Sequence, residues 1–490
     1  MLKNRNISIK VNMLLNSIKS LMGVIFPLIT FPYISRILGV DNIGKYNFAN
    51  SVISYFILFA GLGISSYAIR SGAELRENKV ELKKFVNQLF TINIISTIVS
   101  YSLLAVCFLL IAKFHEYTAL LIILSGQILF KTIGIEWIYS IYEDFAYITV
   151  RSIIFQFLSL ILMFCFVRNQ GDVEIYAAIT VLSSVGSNVL NFVHARKYCK
   201  IELIKKIDFI KHLRPIMVFF ATAITVTIYV SSDLTILGLI CDDHTVGIYA
   251  VSVNVYKALK TILSAVIVVS IPRMSLLWGK GELTEFSNLG KEIYQTLLTL
   301  IFPSILGIIL LSKEIVLLIS GPDYMPAQSS LILLCIAILF CLGAGFWSQG
   351  VLIPQNKESV VFIITIISAV INILVNLILI PFWAEKAAAV TTLISEVVVF
   401  IFCRHKAILT INLSGTSTLI VKVLLGCLPM IGIYYMCANY LQNILLRTGS
   451  MILLSVLVYT FVEIMLGNRI VTDIYMKIVK RIKRIVSVGK

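Results

Sequence analysis

The sequence predicts an all-α polytopic membrane protein with about fourteen transmembrane helices, and three observations predict it. Hydrophobic residues make up 59% of the 490 and charged residues only 13%, about half the charged fraction of a surface that must meet water. The mean hydropathy is +0.95. The apolar residues also fall in runs of at least about 18, long enough to cross a hydrocarbon core as helices. A soluble globule is excluded.

Charged and turn-rich breaks place the helices near 12–36, 46–68, 82–112, 117–141, 147–167, 174–196, 212–239, 246–271, 291–311, 328–352, 358–382, 385–404, 418–439 and 449–467. The first follows a basic start, MLKNRNISIKVN. It is about 25 residues long, holds Pro27 and Pro32 and has no small-residue cleavage site, so it reads as a span rather than a signal peptide. Trp383, Glu385 and Lys386 carry the break between the eleventh and twelfth. The nine cysteines include no pair at metal-knuckle or redox spacing and read as small apolar fillers.

Orientation follows from the basic residues, which are held on the cytoplasmic side. With the N-terminus inside, inner segments collect 30 of the 41 Lys and Arg and outer segments seven. That asymmetry predicts both termini in the cytoplasm, and it accounts for the net charge of +16 by topology and anionic lipid without nucleic acid. The longest outer connection, 312–326, is too short for an outer domain. After the last span, Lys477, Lys480, Arg481 and Arg484 share one helical face and Ile478, Val479, Ile482, Ile485 and Val486 another. That suits a helix lying on the inner leaflet, the alternative being a solubilising tail.

A repeat divides the chain. ILGVDNIGKYNFANSV (37–52) and ILGLICDDHTVGIYAVSVNV (236–255) match at Leu38-Gly39 with Leu237-Gly238, Asp41 with Asp243, and Gly44 and Tyr46 with Gly247 and Tyr249. Six helices separate the copies, so the repeat is parallel. The expected organisation is two six-helix bundles, 1–205 and 206–410, then two further helices at 411–467 and the basic tail at 468–490.

Ionisable groups inside spans are costly and mark cavities or partners. Lys257 and Lys260 lie mid-span on the eighth helix, where Asn254, Lys257, Thr261 and Ser264 recur at steps of three and four as one polar stripe. Lys131 lies mid-span on the fourth helix, with Gln127 before it and Glu136 after it, and Lys19 sits beside Asn16 on the first. Similar stripes are Asn47, Asn50, Ser51 and Ser54; Ser184, Ser187, Asn188, Asn191 and His194; and Ser368, Asn372 and Asn376. Together they suggest a wet, cationic lumen. A phosphate or diphosphate is its simplest partner, because a lysine offers a compact charge and three donors.

Each assignment has a plainer alternative. Lys19 can snorkel to the membrane surface, Lys131 can pair with Glu136, and Lys257 and Lys260 can sit in structural ion pairs. Asn and Ser stripes also bind helices to one another. The acids Asp233, Glu396 and Glu136 either balance lysines or carry a coupling H+ or Na+, and balancing is the expected role of Asp233. Glu463 is expected close to the inner interface. No cofactor or metal is expected: P-loop, GxSxG, HExxH and Cys/His ligand clusters are all missing from the sequence.

The runs FPYISRILGVDNIGKYNFANSVISYFILFAGLGISSYAIR (31–70), YITVRSIIFQ (147–156), SDLTILG followed by VGIYAVSVNV, GPDYMPA (321–327) and QGVLIPQNKES (349–359) resemble, in order and along nearly the whole chain, the Wzx-type polysaccharide repeat-unit flippases of the MOP exporter superfamily. The resemblance implies a monomer of two bundles meeting in a V around a cationic cavity, working by alternating access. It implies as cargo an undecaprenyl-diphosphate-linked oligosaccharide for O-antigen, capsule or a related glycan, with a polysaccharide polymerase and chain-length machinery as partners. Basic residues on helices 1, 2, 7 and 8 line the cavity in that family. Lys19, Lys257 and Lys260 fit by position, whereas helices 2 and 7 here have no mid-span basic residue. Alternatives are a lipid II or teichoic-type precursor flippase and a MATE-like multidrug antiporter, which relies on intramembrane acids. A glycan polymerase or ligase would need a larger outer loop.

Overall fold

The computed structural model describes residues 9–205, 208–473 and 475–477, of which 9–21, 24, 226, 229 and 230 are described by their backbone alone. Among the described residues all regular structure is helical. The order is α1 (Ile9–Gly61), α2 (Ile64–Glu74), α3 (Lys79–Leu110), α4 (Thr118–Gly134), α5 (Glu136–Ile141), α6 (Phe145–Phe166), α7 (Val173–Val181), α8 (Asn188–Ala195), α9 (Phe209–Ile240), α10 (Asp243–Gly279), α11 (Leu283–Leu310), α12 (Ser312–Ile319), α13 (Ala327–Gly345), α14 (Glu358–Ala407), α15 (Thr416–Tyr440) and α16 (Ile444–Met465). The chain forms two compact units, Met1–Ala250 and Val251–Lys490. The amphipathic pattern expected beyond Lys477 lies outside the described residues.

Eleven helical stretches among the described residues are long and apolar enough to cross a membrane. Two of them, Ile25–Glu74 and Glu358–Thr410, run to 50 and 53 residues, more than twice the roughly 20 that one crossing needs. Both are interrupted where the sequence divides them, at Gly39 (φ 76°) and at Ala384 (φ 46°). Other expected helices are less regular than their hydropathy suggests. The helix expected at 117–141 is split between α4 and α5 by Ile135, and the one at 174–196 carries a π-helical segment, Leu182–Gly186. Large apolar side chains such as Leu109, Leu110, Val269 and Phe382 point outward, as a lipid-facing surface requires. Asn78, Asp144 and Asn443 cap α3, α6 and α16 by accepting from backbone amides.

Several residues of the polar stripes join helices to one another, the plainer of the two readings the sequence offered for them. Ser368, Asn372 and Asn376 are fully buried, in a seam between the two halves of α14. Ser368 donates to the Ser395 carbonyl at 3.0 Å, Thr391 to Asn376 Oδ1 at 2.6 Å, and Asn376 to Asn372 Oδ1 at 3.1 Å. In the second half of α1, Ser51 bonds Thr235 of α9 at 2.9 Å, and Ser54 donates to Ser231 at 3.2 Å. Asn188 and Asn191 bond each other in the interior of the first unit. These groups join helices, because a hydroxyl or amide in hydrocarbon has no other partner.

The matched glycines of the repeat meet one another. A Cβ on Gly44 would overlap the Asp243 carbonyl, and one on Gly247 would overlap the Val40 carbonyl. The obstructing atoms are backbone, so neither clash can relax by a rotamer change. The α1 and α10 backbones approach this closely only because both positions lack a side chain. Gly44→Leu and Gly247→Leu are therefore expected to destabilise the protein by about 1–3 kcal/mol or more, read as a lower thermal midpoint of the detergent-solubilised protein. Gly432→Ala, facing open space in α15, should leave the midpoint unchanged or raise it slightly.

Candidate functional site

The stripe on α10 is partly open. Asn254 is half-buried, Lys257 and Thr261 are exposed, and Ser264 is half-buried. Thr261 and Ser264 turn their hydroxyls back on their own helix, to the carbonyls of Lys257 and Thr261. Lys260 follows Lys257 by three residues, so both project from adjacent turns of one side. Two ammonium groups thus sit on a partly open face of a 37-residue apolar helix.

Lys260 has an acidic neighbour. Its Nζ lies 3.8 Å from Glu396 Oε1, with the lysine side chain 37% exposed and the glutamate side chain 5%. This is the ion-pair alternative read from the sequence, in a loose form: a charge-assisted hydrogen bond would measure about 2.7–2.9 Å. Tyr256 donates to the same Oε1 at 3.1 Å, and its ring centroid lies 5.6 Å from the ammonium. The Cys341 thiol of α13 sits against both the Lys260 ammonium and the Tyr256 hydroxyl. The same unit contains an apolar groove of about 480 Å³, whose lining includes Leu259, Pro303, Gly307, Met430, Met451 and Tyr459.

The first unit holds a separate polar cavity of about 140 Å³, lined by Lys131, Glu136, Asn93, Asn188 and Ser184 among others. Lys131 and Glu136 therefore share a cavity, but the ion pair here is with a different base. Arg151 of α6, 5% exposed, donates to Glu136 Oε1 at 2.9 Å and to the Ser187 carbonyl at 3.1 Å. Ile135, just before Glu136, has φ 35° and ψ 39°, a left-handed conformation that costs a β-branched residue about 1–3 kcal/mol. That break ends α4 and turns Glu136 onto a new helical start. The π segment Leu182–Gly186 puts Ser184 and Val185 on the opposite wall, and such segments recur at functional positions.

The remaining candidates are dispersed. Asp233 is buried and accepts from the Tyr249 hydroxyl at 3.0 Å. Lys19 is placed on α1 by its backbone, and its side chain lies outside the described residues. Glu463, in the last turn of α16, is fully buried and accepts from Asn468 at 2.5 Å. Sequence reasoning missed Arg151, Tyr256 and Cys341. Arg151 stands 15 positions from Glu136, beyond the reach of helical spacing; Tyr256, four residues before Lys260 in a helix, carries a signal that the i,i+4 spacing could reveal.

The chain matches the family described as polysaccharide biosynthesis protein over residues 9–278. It is 22% identical over 402 residues to a protein of Escherichia coli (strain K12) named "Putative O-antigen transporter", covering 81% of this chain and 96% of that one. It is also 22% identical over 369 residues to "Capsular polysaccharide biosynthesis protein CapF" of Staphylococcus aureus, covering 74% and 89%. Its fold is like that of "Lipid II flippase MurJ, inward closed conformation", with a TM-score of 0.72 at 15% identity, covering 95% of this chain and 99% of that one. These findings bear out the resemblance carried by the motifs, and the chain is a multi-pass membrane protein. With the matched residues running from the first helix almost to the end of α10, it belongs to the polysaccharide biosynthesis protein family.

Proposed function

We propose that the protein is a flippase that moves an undecaprenyl-diphosphate-linked oligosaccharide repeat unit from the inner to the outer leaflet of the bacterial cytoplasmic membrane, by alternating access, for O-antigen, capsule or exopolysaccharide assembly. It is a carrier and not an enzyme. Both termini are cytoplasmic on the charge census. The crossings number fourteen, counting each interrupted stretch twice and α9 once. They form bundles at 1–205 and 206–410 with two helices appended.

The observation that carries this reading is the pair Lys257 and Lys260 on the open stripe of α10, in a chain of a polysaccharide biosynthesis family. A lipid diphosphate loses its water on leaving the interface, and ammonium groups replace that water with donors and opposite charge. Asn254, one turn before Lys257, offers a neutral donor and acceptor for the adjoining sugar. The apolar groove that includes Leu259 suits the polyprenyl chain, keeping it in hydrocarbon while the headgroup is sheltered. Lys131, in the polar cavity of the first unit, and Lys19 are further candidate cargo-binding lysines. The nearby acids would balance it.

Lys257→Ala combined with Lys260→Ala is expected to abolish surface glycan display at unchanged protein level, with Arg at both positions milder; immunoblotting of the polymer beside the tagged protein measures this. Normal display from the double Ala variant would overturn the reading. A strain lacking the protein should accumulate the lipid-linked repeat unit on the inner leaflet, resolved by mass spectrometry of extracted lipids. Accumulation of a peptidoglycan or teichoic precursor instead would favour the reading drawn from the fold alone. Cation efflux lost on changing Asp233 or Glu396, with no change in lipid intermediates, would favour a multidrug antiporter.

A further inference from the structure

In the polar cavity of the first unit the acid nearest to Lys131 in sequence is engaged elsewhere. Glu136 is held at Oε1 by Arg151 at 2.9 Å, from a guanidinium only 5% exposed. Lys131 lines the same cavity, is exposed, and has no hydrogen bond or ion pair among the described residues. Two bases and one acid leave a net positive charge, and it resides on the ammonium. A charge kept unpaired in an apolar helix is costly, which marks it as a binding group.

The neutral groups around it are half used. Asn188 accepts at Oδ1 from Asn191 at 3.3 Å, so its amide nitrogen remains as a donor. Gly134 makes room for it: a Cβ there would fall 2.5 Å from that nitrogen. Asn93 spends its own amide nitrogen on the Ala60 carbonyl at 2.7 Å and keeps Oδ1 as an acceptor. Ser184 gives its proton to the Thr180 carbonyl at 2.8 Å and keeps an oxygen that accepts. Trp137 supplies an aromatic wall. A single water needs only roughly 10–15 Å³ of free volume. At about 140 Å³ the cavity has room for a group nearer the size of a sugar ring.

We propose that this cavity is a subsite for an acidic sugar, a hexuronic acid of the cargo's oligosaccharide, with Lys131 as the cation that selects it. This rests on the reading that the cargo is a lipid-linked oligosaccharide and adds which kind of sugar the first unit accepts. The ammonium and the Asn188 amide donate to the carboxylate oxygens, Asn93 and Ser184 accept from ring hydroxyls, and Trp137 meets the apolar face of the ring. A phosphate is matched less well. Its second charge would face Glu136 with Lys131 alone to balance it, whereas a carboxylate is neutralised by one lysine.

The test uses the full-length protein in lipid nanodiscs and saturation-transfer NMR with glucuronate and glucose as probes. Wild type is expected to bind glucuronate about tenfold more tightly than glucose, and Lys131→Gln to lose about that factor while its glucose binding stays unchanged. Lys131→Arg should recover most of the difference. Equal binding of the two sugars by wild type, or glucuronate binding indifferent to Lys131→Gln, would overturn the subsite. So would inorganic phosphate that displaces glucuronate while binding more tightly than it, through Lys131. Farnesyl diphosphate titrated on the same samples reads the other lysines. Its binding, lost in the Lys257→Ala, Lys260→Ala variant and kept in Lys131→Gln, leaves the carrier reading standing even where glucuronate fails. Binding indifferent to Lys257 and Lys260 would overturn the carrier reading, and with it the cargo assigned to this cavity.

Discussion

A polar atom carried into hydrocarbon has to find its partner inside the protein, because lipid supplies none. That constraint accounts for most polar side chains of this chain. Serines, asparagines and threonines of α1 and α9, and of the two halves of α14, bond across helix seams. Glu314 of α12, with a side chain only 2% exposed, is met by Arg447 of α16 at 3.2 Å, which ties α16 to α12. On α10 the hydroxyls of the stripe fold back on their own helix and the lysines remain partly open. A charge kept accessible inside an apolar helix is expensive, and the expense makes sense if a charged visitor arrives.

The helices were readable because hydropathy responds to lipid directly, and the breaks at Gly39 and near Ala384 coincide with local composition. Ile135 was not readable, since nothing in an isoleucine flanked by glycine and glutamate signals a left-handed residue; the surrounding packing imposes it. Site residues followed the same division. That Lys257 and Lys260 lie on one side of α10 follows from their spacing, while the partner of Lys260 comes from 136 positions away and has no local trace. Polar stripes were the ambiguous signal. Period alone cannot distinguish a wet face from a bonded seam, because both need donors at steps of three and four. Burial separates them: Asn376 is closed off and Lys257 is exposed.

The repeat supplies a physical reason for its own glycines. Gly44 and Gly247 occupy matching places in the two copies, and each lies against backbone belonging to the other copy. The contact is reciprocal, Gly44 against Asp243 and Gly247 against Val40, as expected where two related segments cross about a local pseudo-twofold. A side chain at either place would lengthen the crossing and loosen both strands of the motif together. Gly238 adds a third restriction, since a Cβ there would enter the Phe48 ring. The spacing of the motif is therefore tied to helix approach, independently of any cargo chemistry.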